Sequence, residues 1–386
     1  MKRVIVCVGT GGVGKTTMAA AIADACCSAG HATLVATTDP ARRLADVLGI
    51  ASSPTVVTAP GRPLLDVYMP DASSGARATA AMLLAQDPAR LAKLENNQVF
   101  RALCDGLAGV HELAALAGLA DLGARYDTLV IDTAPSRHAL DLLELPANLE
   151  ALVEGRALRW LGEVARSQQG TAKGVRRIVG WGTRRLLGWF ERILGAGPLG
   201  EALDVLAVLA EAQPELLRIA RASKVLLTGA CTEYVVIVAA RSDALADVRF
   251  FDRELTRIAR PPAHVLINRV PAGRPAWAAA LAAMDDAPSS IREAADLAIR
   301  HTAQALVASR AIEQELAGGP VVTRVPAVDV TANIELVAQL AEHLGPVFGR
   351  RPALALWQDH RVDHVDHAVR AGDVSGDDVR AVDGDA

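Results

Sequence analysis

A chain of 386 residues, 51% of them hydrophobic, holds enough apolar material for one large core or two ordinary ones, which excludes disorder as the starting expectation. A formal net charge of −4 excludes a surface that is basic throughout, so no specific nucleic-acid partner is expected. The cysteines Cys7, Cys26, Cys27, Cys104 and Cys231 form neither a CxxC pair nor a Cys/His cluster, which points away from zinc and disulfides and toward a reducing, cytoplasmic setting.

The first element is the apolar run Val4 to Val8, too short for the core of a signal peptide or for a membrane span. No later stretch reaches about 18 uninterrupted apolar residues, so any membrane contact is expected to be peripheral. A Gly-rich loop and a helix over Met18 to Cys27 follow. Further runs rich in β-branched residues lie at Thr33 to Thr37, Thr128 to Ile131, Tyr234 to Val238, His264 to Ile267 and Val321 to Val325. Strands apolar on both faces and separated by helical stretches predict an α/β fold with a doubly wound, mostly parallel sheet.

Two stretches, about 72–122 and 148–222, are helical in pattern and lack strand signals. They are too long for simple crossovers and are expected to form a helical subdomain inserted into a domain spanning 1–345. From about Gly345 the pattern fades, and 346–386 reads as an acidic tail. His360, His364 and His367 lie there among aspartates, where a solvated face is the plainer reading than a metal site.

"GTGGVGKTT", Gly9 to Thr17, satisfies GxxxxGK[ST] between a strand and a helix. Backbone N–H groups of Gly9, Thr10, Gly11, Gly12, Val13 and Gly14 can curl around phosphate oxygens there, and the following helix adds its N-terminal dipole. Lys15 would reach the β and γ phosphates, Thr16 would ligate Mg²⁺, and Thr17 completes the loop. ATP or GTP with Mg²⁺ is therefore the expected ligand. Asp132, after the run ending at Ile131, is the expected acidic partner of the metal, acting partly through water. Asp39 ends the second strand just before Pro40 and can orient an attacking water. The same residue can simply cap the helix that Pro40 opens, and the two roles are compatible.

Together, "GTGGVGKTT", "TTDPARRLADVLG" and "IDTAPSRHALDLLELP" resemble the phosphate loop and the two switches of the arsenite-pump and tail-anchored-protein-targeting ATPase family. "GVHELAALAGLADLGARYD" is similar to the segment before that family's second switch, "LINRV" to its adenine-reading strand end, and "VTRVPAVD" to its later purine loop. The likeness covers roughly residues 1–345. It implies a dimeric ATPase that sandwiches ATP at the subunit interface and opens and closes a helical region. By position it puts Asn268 and Pro326 beside the base, Asp39 on the water, and Pro135 and His138 in the second switch, although His138 could equally be a packed core histidine. The family normally has a lysine where this chain has Thr10. A hydroxyl cannot neutralise transition-state charge, so slow hydrolysis is expected unless Arg42, Arg43 or Arg137 substitutes, or a partner subunit supplies a cation.

Within the insert, Val179, Leu186, Trp189, Phe190 and Ile193 fall on one helical face, with Arg177, Arg184, Arg185 and Arg192 opposite. That face is weighed equally as packing on its own domain and as a groove for a hydrophobic client or a membrane surface. The expected whole is a cytoplasmic switch ATPase, a homodimer or a heterodimer with a related ATPase. The alternatives are a low-turnover regulatory subunit and, less favoured, an anion or arsenite pump subunit.

Overall fold

The computed structural model describes residues 3–38, 43–53, 55–69, 88–98, 100–101, 110–134, 141–154, 205, 208, 211–258, 260–273, 277, 280–281, 284, 288–328, 330 and 332–350. Strand β1 (Arg3–Val8) lies inside the sheet, paired in parallel with β5 (Thr128–Asp132) on one edge and β6 (Thr232–Ala239) on the other. Beyond β5 come β2 (Thr33–Thr37), β4 (Leu65–Tyr68) and β3 (Val57–Thr58); beyond β6 come β7 (His264–Val270) and β8 (Val321–Pro326). Among the described residues the order is β3-β4-β2-β5-β1-β6-β7-β8, parallel except for β3 against β4. The α/β, doubly wound, mostly parallel sheet expected from the sequence is thus the observed architecture.

Side chains of a strand alternate between faces, and here both faces are dry. Ile5 and Cys7 point into one cluster with helix α1 (Lys15–Ser28), helix α2 (Arg43–Leu48) and the last helix, α9 (Asn333–Phe348). Val4, Val6 and Val8 point into the other. That second cluster takes Leu116 and Leu119 of α4 (Val110–Gly123), Leu143 of α5 (Asp141–Glu154) and Leu226 and Leu227 of α6 (Gln213–Thr228). It also takes Phe251 and Leu255 of α7 (Ala244–Ile258) and Ile312 of α8 (Ser289–Glu315). At about 1.5–3 kcal/mol for each large apolar side chain, these two layers are the main reason the sheet holds together.

The sequence pattern missed β3 and β4, and for a physical reason. β4 is four residues long, alternates buried and half-buried positions and includes Asp66, so it presents no continuous apolar run. Helix α3 (Pro88–Asn96) follows later. The pattern also assigned 110–122 and 213–222 to the helical insert, yet Leu116, Leu119, Ile219 and Leu226 of those helices are buried, and Leu116, Leu119 and Leu226 lie directly against the sheet. A crossover helix covered on one side by the sheet needs an apolar stripe, and such a stripe reads the same in a helical subdomain. Helix α9 continues past residue 345 to the buried Phe348.

The amino ends of the central strands are tied to α9 by one charged cluster. Arg3 donates from Nε and Nη2 to the two carboxylate oxygens of Glu233, at 3.1 and 2.8 Å, and from Nη1 to the Phe348 carbonyl at 2.7 Å. The His264 ring packs on Phe348 with centroids 4.8 Å apart and reaches the Glu233 carboxylate at 3.5 Å. Burial pushes the Glu233 carboxyl up, but hydrogen bonds from His264 and Arg3 outweigh it and bring the group down to about 2.

A carboxylate depressed in the folded state stabilises the fold fully above its unfolded value near 4.5, and that contribution disappears as pH falls toward about 2. Glu233→Gln is therefore expected to lower stability at neutral pH by at most about 3 kcal/mol and to flatten the loss of stability between about pH 4.5 and 2. Urea denaturation of both proteins across that window measures it, and parallel pH curves would contradict it.

Candidate functional site

Parallel sheets gather function at the carboxyl ends of their strands, and β1 delivers the chain there at Val8. The loop Gly9–Gly14 then turns into α1, and two of its glycines are sterically required. A Cβ on Gly9 would lie 2.2 Å from the Ile237 carbonyl oxygen, which belongs to a paired strand and cannot retreat. Gly14 caps α1 in the left-handed region (φ 92°, ψ 27°), and a Cβ there would meet Asn268 Nδ2 at 2.5 Å.

Lys15 is 5% exposed. Its Nζ donates to the carbonyls of Gly9 at 2.9 Å and Thr10 at 3.0 Å, so the ammonium is folded back beneath the loop. Val13 is buried, Gly11 and Gly12 are exposed, and Thr16 and Thr17 open onto a cavity of about 440 Å³. The cavity is also lined by Gly12, Gly14, Lys15, Thr133, Arg43, Asp46, Val47 and Arg269. Lys15, Arg43 and Arg269 face the one carboxylate of Asp46 there, and the backbone N–H groups of the α1 amino end add to the balance. The site is suited to a polyanion.

Asp132 ends β5 in register with Cys7, one strand from the root of the loop, and is buried. Its Oδ2 accepts from Thr37 Oγ1 at 3.3 Å, while Thr133 Oγ1 donates to the Cys7 carbonyl at 2.7 Å. Burial first, and the Asp132 carboxylate second, push the Cys7 thiol well above the ordinary thiol range, so it behaves as a small neutral core side chain. Thr16 and Asp132 together offer hydroxyl and carboxylate oxygen, hard donors that fit a magnesium ion better than a thiophilic metal.

The structure brings the loop Gly9–Thr17, Asp132 and Asn268 into one neighbourhood, and with them Arg43, the cation candidate of the first switch. Pro326 ends β8 opposite Val270. Asp39, Pro40, Arg42, Pro135, Arg137 and His138 lie outside the described residues. So do the client-face candidates Val179, Leu186, Trp189, Phe190 and Ile193.

Two findings were not visible in the pattern. Asn268 is a brace: its Nδ2 donates to the Val13 carbonyl at 2.7 Å, and its Oδ1 accepts from the Arg269 N–H at 2.8 Å. Part of its hydrogen-bonding capacity, which the family resemblance assigns to the base, is spent on the phosphate loop itself. Thr10, the residue standing where the resembling family has lysine, donates from Oγ1 to Asp247 Oδ2 of α7 at 3.1 Å. Nothing in the sequence pairs residues so far apart. Arg269 was quoted within "LINRV" but given no role, because its left-handed backbone (φ 58°) has no sequence signature in a bulky residue.

Asn268→Ala strands the buried Val13 carbonyl and the Arg269 N–H, and is expected to cost about 1–3 kcal/mol of stability in nucleotide-free protein. Asn268→Asp should be comparably damaging, since a carboxylate cannot donate to Val13. Urea denaturation without nucleotide checks both, and wild-type midpoints would refute the brace.

The family described as anion-transporting ATPase matches residues 2–178. Protein Rv2184c of Mycobacterium tuberculosis is 36% identical over 166 residues, covering 39% of this chain and 39% of that protein. The arsenical pump-driving ATPase of Acidiphilium multivorum is 30% identical over 152 residues, 38% of this chain and 26% of the relative. The ATPase get3 of Aspergillus terreus is 30% identical over 144 residues, 37% of this chain and 42% of the relative. The matched stretch thus spans less than half the length of each of these proteins. The residues matched by that family model include the phosphate loop and the Asp132 strand end, so this part of the chain is similar to the anion-transporting ATPase family.

Proposed function

We propose that this chain binds ATP with Mg²⁺ and hydrolyses it slowly, using nucleotide state to switch a dimer and its helical region between conformations. The observation that supports this most is the buried Lys15 ammonium under a glycine-shaped loop, with Asp132 one strand away and a cavity of about 440 Å³ lined by Lys15, Thr16 and Thr133. Thr16 and Asp132 would hold the magnesium, Asp132 partly through water. The ion, when bound, offsets charge on the phosphate oxygens. On nucleotide entry, Lys15 would exchange its bonds to the Gly9 and Thr10 carbonyls for phosphate oxygens, from a position already at the loop. Asp39 is assigned to aligning the water for in-line attack, with Pro40, Pro135 and His138 relaying the state of the site to the helices. Asn268 and Pro326 are assigned to the base.

Slow turnover follows from Thr10. A hydroxyl already donating to Asp247 brings no positive charge to the developing γ-phosphoryl charge, whichever subunit faces it. The same hydrogen bond favours a second reading, a low-turnover regulatory subunit that pairs with a related, faster ATPase. An arsenite or other anion pump role is the weaker alternative. Val179, Leu186, Trp189, Phe190 and Ile193 would form the face offered to a hydrophobic protein segment or a membrane surface. Among the described residues no helix is long and apolar enough to cross a membrane.

Lys15→Ala is expected to weaken ATP binding at least about tenfold by calorimetry with Mg²⁺ present. Equal affinity in the two proteins would overturn the site. In single-turnover assays Thr10→Lys is expected to accelerate hydrolysis, up to the roughly 10³-fold that a well-placed cation supplies in related chemistry. An unchanged rate would mean that missing charge does not limit the reaction. Pull-down with ATP-trapped protein, intact and lacking 172–195, tests the client face, and identical sets of binders would leave it without support.

A further inference from the structure

Arg269 has a backbone that an arginine adopts only against a penalty. Its φ of 58° places it in the left-handed region, which glycine enters freely and a long side chain does not. The residue sits where the register between β7 and β8 slips, between Ile267 and Val270, so a bulge turns it out of the ladder. Its N–H is held by Asn268 Oδ1 at 2.8 Å, and Asn268 in turn holds Val13 of the phosphate loop at 2.7 Å. Arg269 is exposed and lines the same cavity as Thr16 and Thr17. Strain kept at a cavity wall, at a position glycine would fill without cost, points to use of the side chain.

Its place in the sheet says which end of a ligand it meets. Asp132 is one strand from β1 on one side, and β7 is two strands from β1 on the other. Three strand spacings, about 14 Å, separate the metal end of the site from the strand that carries Arg269. Lys15 and Thr16 already occupy the phosphate end. A guanidinium at the far end is planar, weakly hydrated and able to lie flat on a heterocycle.

We propose that Arg269 is a specificity-determining residue for the nucleoside end of the bound nucleotide, packing its guanidinium against the base beside Asn268. This rests on the nucleotide reading above and adds a base-contacting residue to it. The left-handed backbone aims the side chain, and the Asn268 amide couples that aim to the phosphate loop.

Arg269→Gly separates side chain from scaffold, because glycine keeps the N–H to Asn268 and relaxes the backbone. Calorimetry is run with Mg–ATP and with Mg–tripolyphosphate, which has the phosphates and no base, on wild type, Arg269→Gly and Arg269→Lys. The expected result is ATP binding about tenfold weaker in the glycine variant, tripolyphosphate binding within about twofold of wild type, and a nucleotide-free melting temperature no lower than wild type. Arg269→Lys should restore little, since an ammonium cannot stack. Unchanged ATP affinity in Arg269→Gly overturns the proposal, as does an equal loss for ATP and tripolyphosphate, which would place the cation on phosphate. Wild-type protein that binds neither probe would instead fail the nucleotide reading itself and remove this inference with it.

Discussion

A strand paired on both edges and covered on both faces cannot shift its carboxyl end, and the whole site hangs from such a strand. β1 is hydrogen-bonded to β5 and β6, and its residues from Val4 to Val8 are at most 1% exposed. Gly9 is therefore pressed against the Ile237 carbonyl at a distance that admits no side chain, and the loop starts from a fixed point. Everything downstream is referenced to that point. The Lys15 ammonium finds the Gly9 and Thr10 carbonyls, α1 aims its amino end at the cavity, and Asp132 arrives by register with Cys7. Preorganisation of this kind moves reorganisation cost from the binding step to folding.

The site is braced from the far side as well. Asn268 joins β7 to the phosphate loop through Val13, so movement of the loop and movement of the β7 turn are mechanically linked. Thr10 joins the same loop to α7 through Asp247. A ligand that pulls on the loop thus pulls on β7 and on α7, the helix that connects β6 to β7. This gives a nucleotide-dependent change a physical route, provided each element has a second arrangement. At the opposite end of the sheet, the Arg3, Glu233 and His264 cluster ties the amino ends of β1, β6 and β7 to α9.

The slow turnover proposed above rests on one position. A lysine at residue 10 would carry charge outward from the loop, whereas the threonine turns inward to a carboxylate on its own subunit. Cations do surround the cavity, in Arg43 and Arg269, but they come from α2 and β7 rather than from the loop itself.

The sequence by itself determined the local pieces. Runs of β-branched residues gave six of the strands to within one to three residues at either end, because strands buried on both faces need apolar side chains at every position. The phosphate loop was legible because its spacing is dictated by backbone geometry around a phosphate, and Asp132 because a strand end must present it. Short β4, half-buried and interrupted by Asp66, left no such trace, and the sheet-covering stripes of α4 and α6 could not be told from an insert. Only the tertiary structure decided which distant residues meet: Asn268 with Val13 across 255 positions, Thr10 with Asp247 across 237, and Arg269 at a left-handed bulge on the cavity wall. The reason is that periodicity and propensity report a residue's relation to its own element. Partners brought together by strand order and by the crossing of layers leave no imprint on neighbouring letters of the chain.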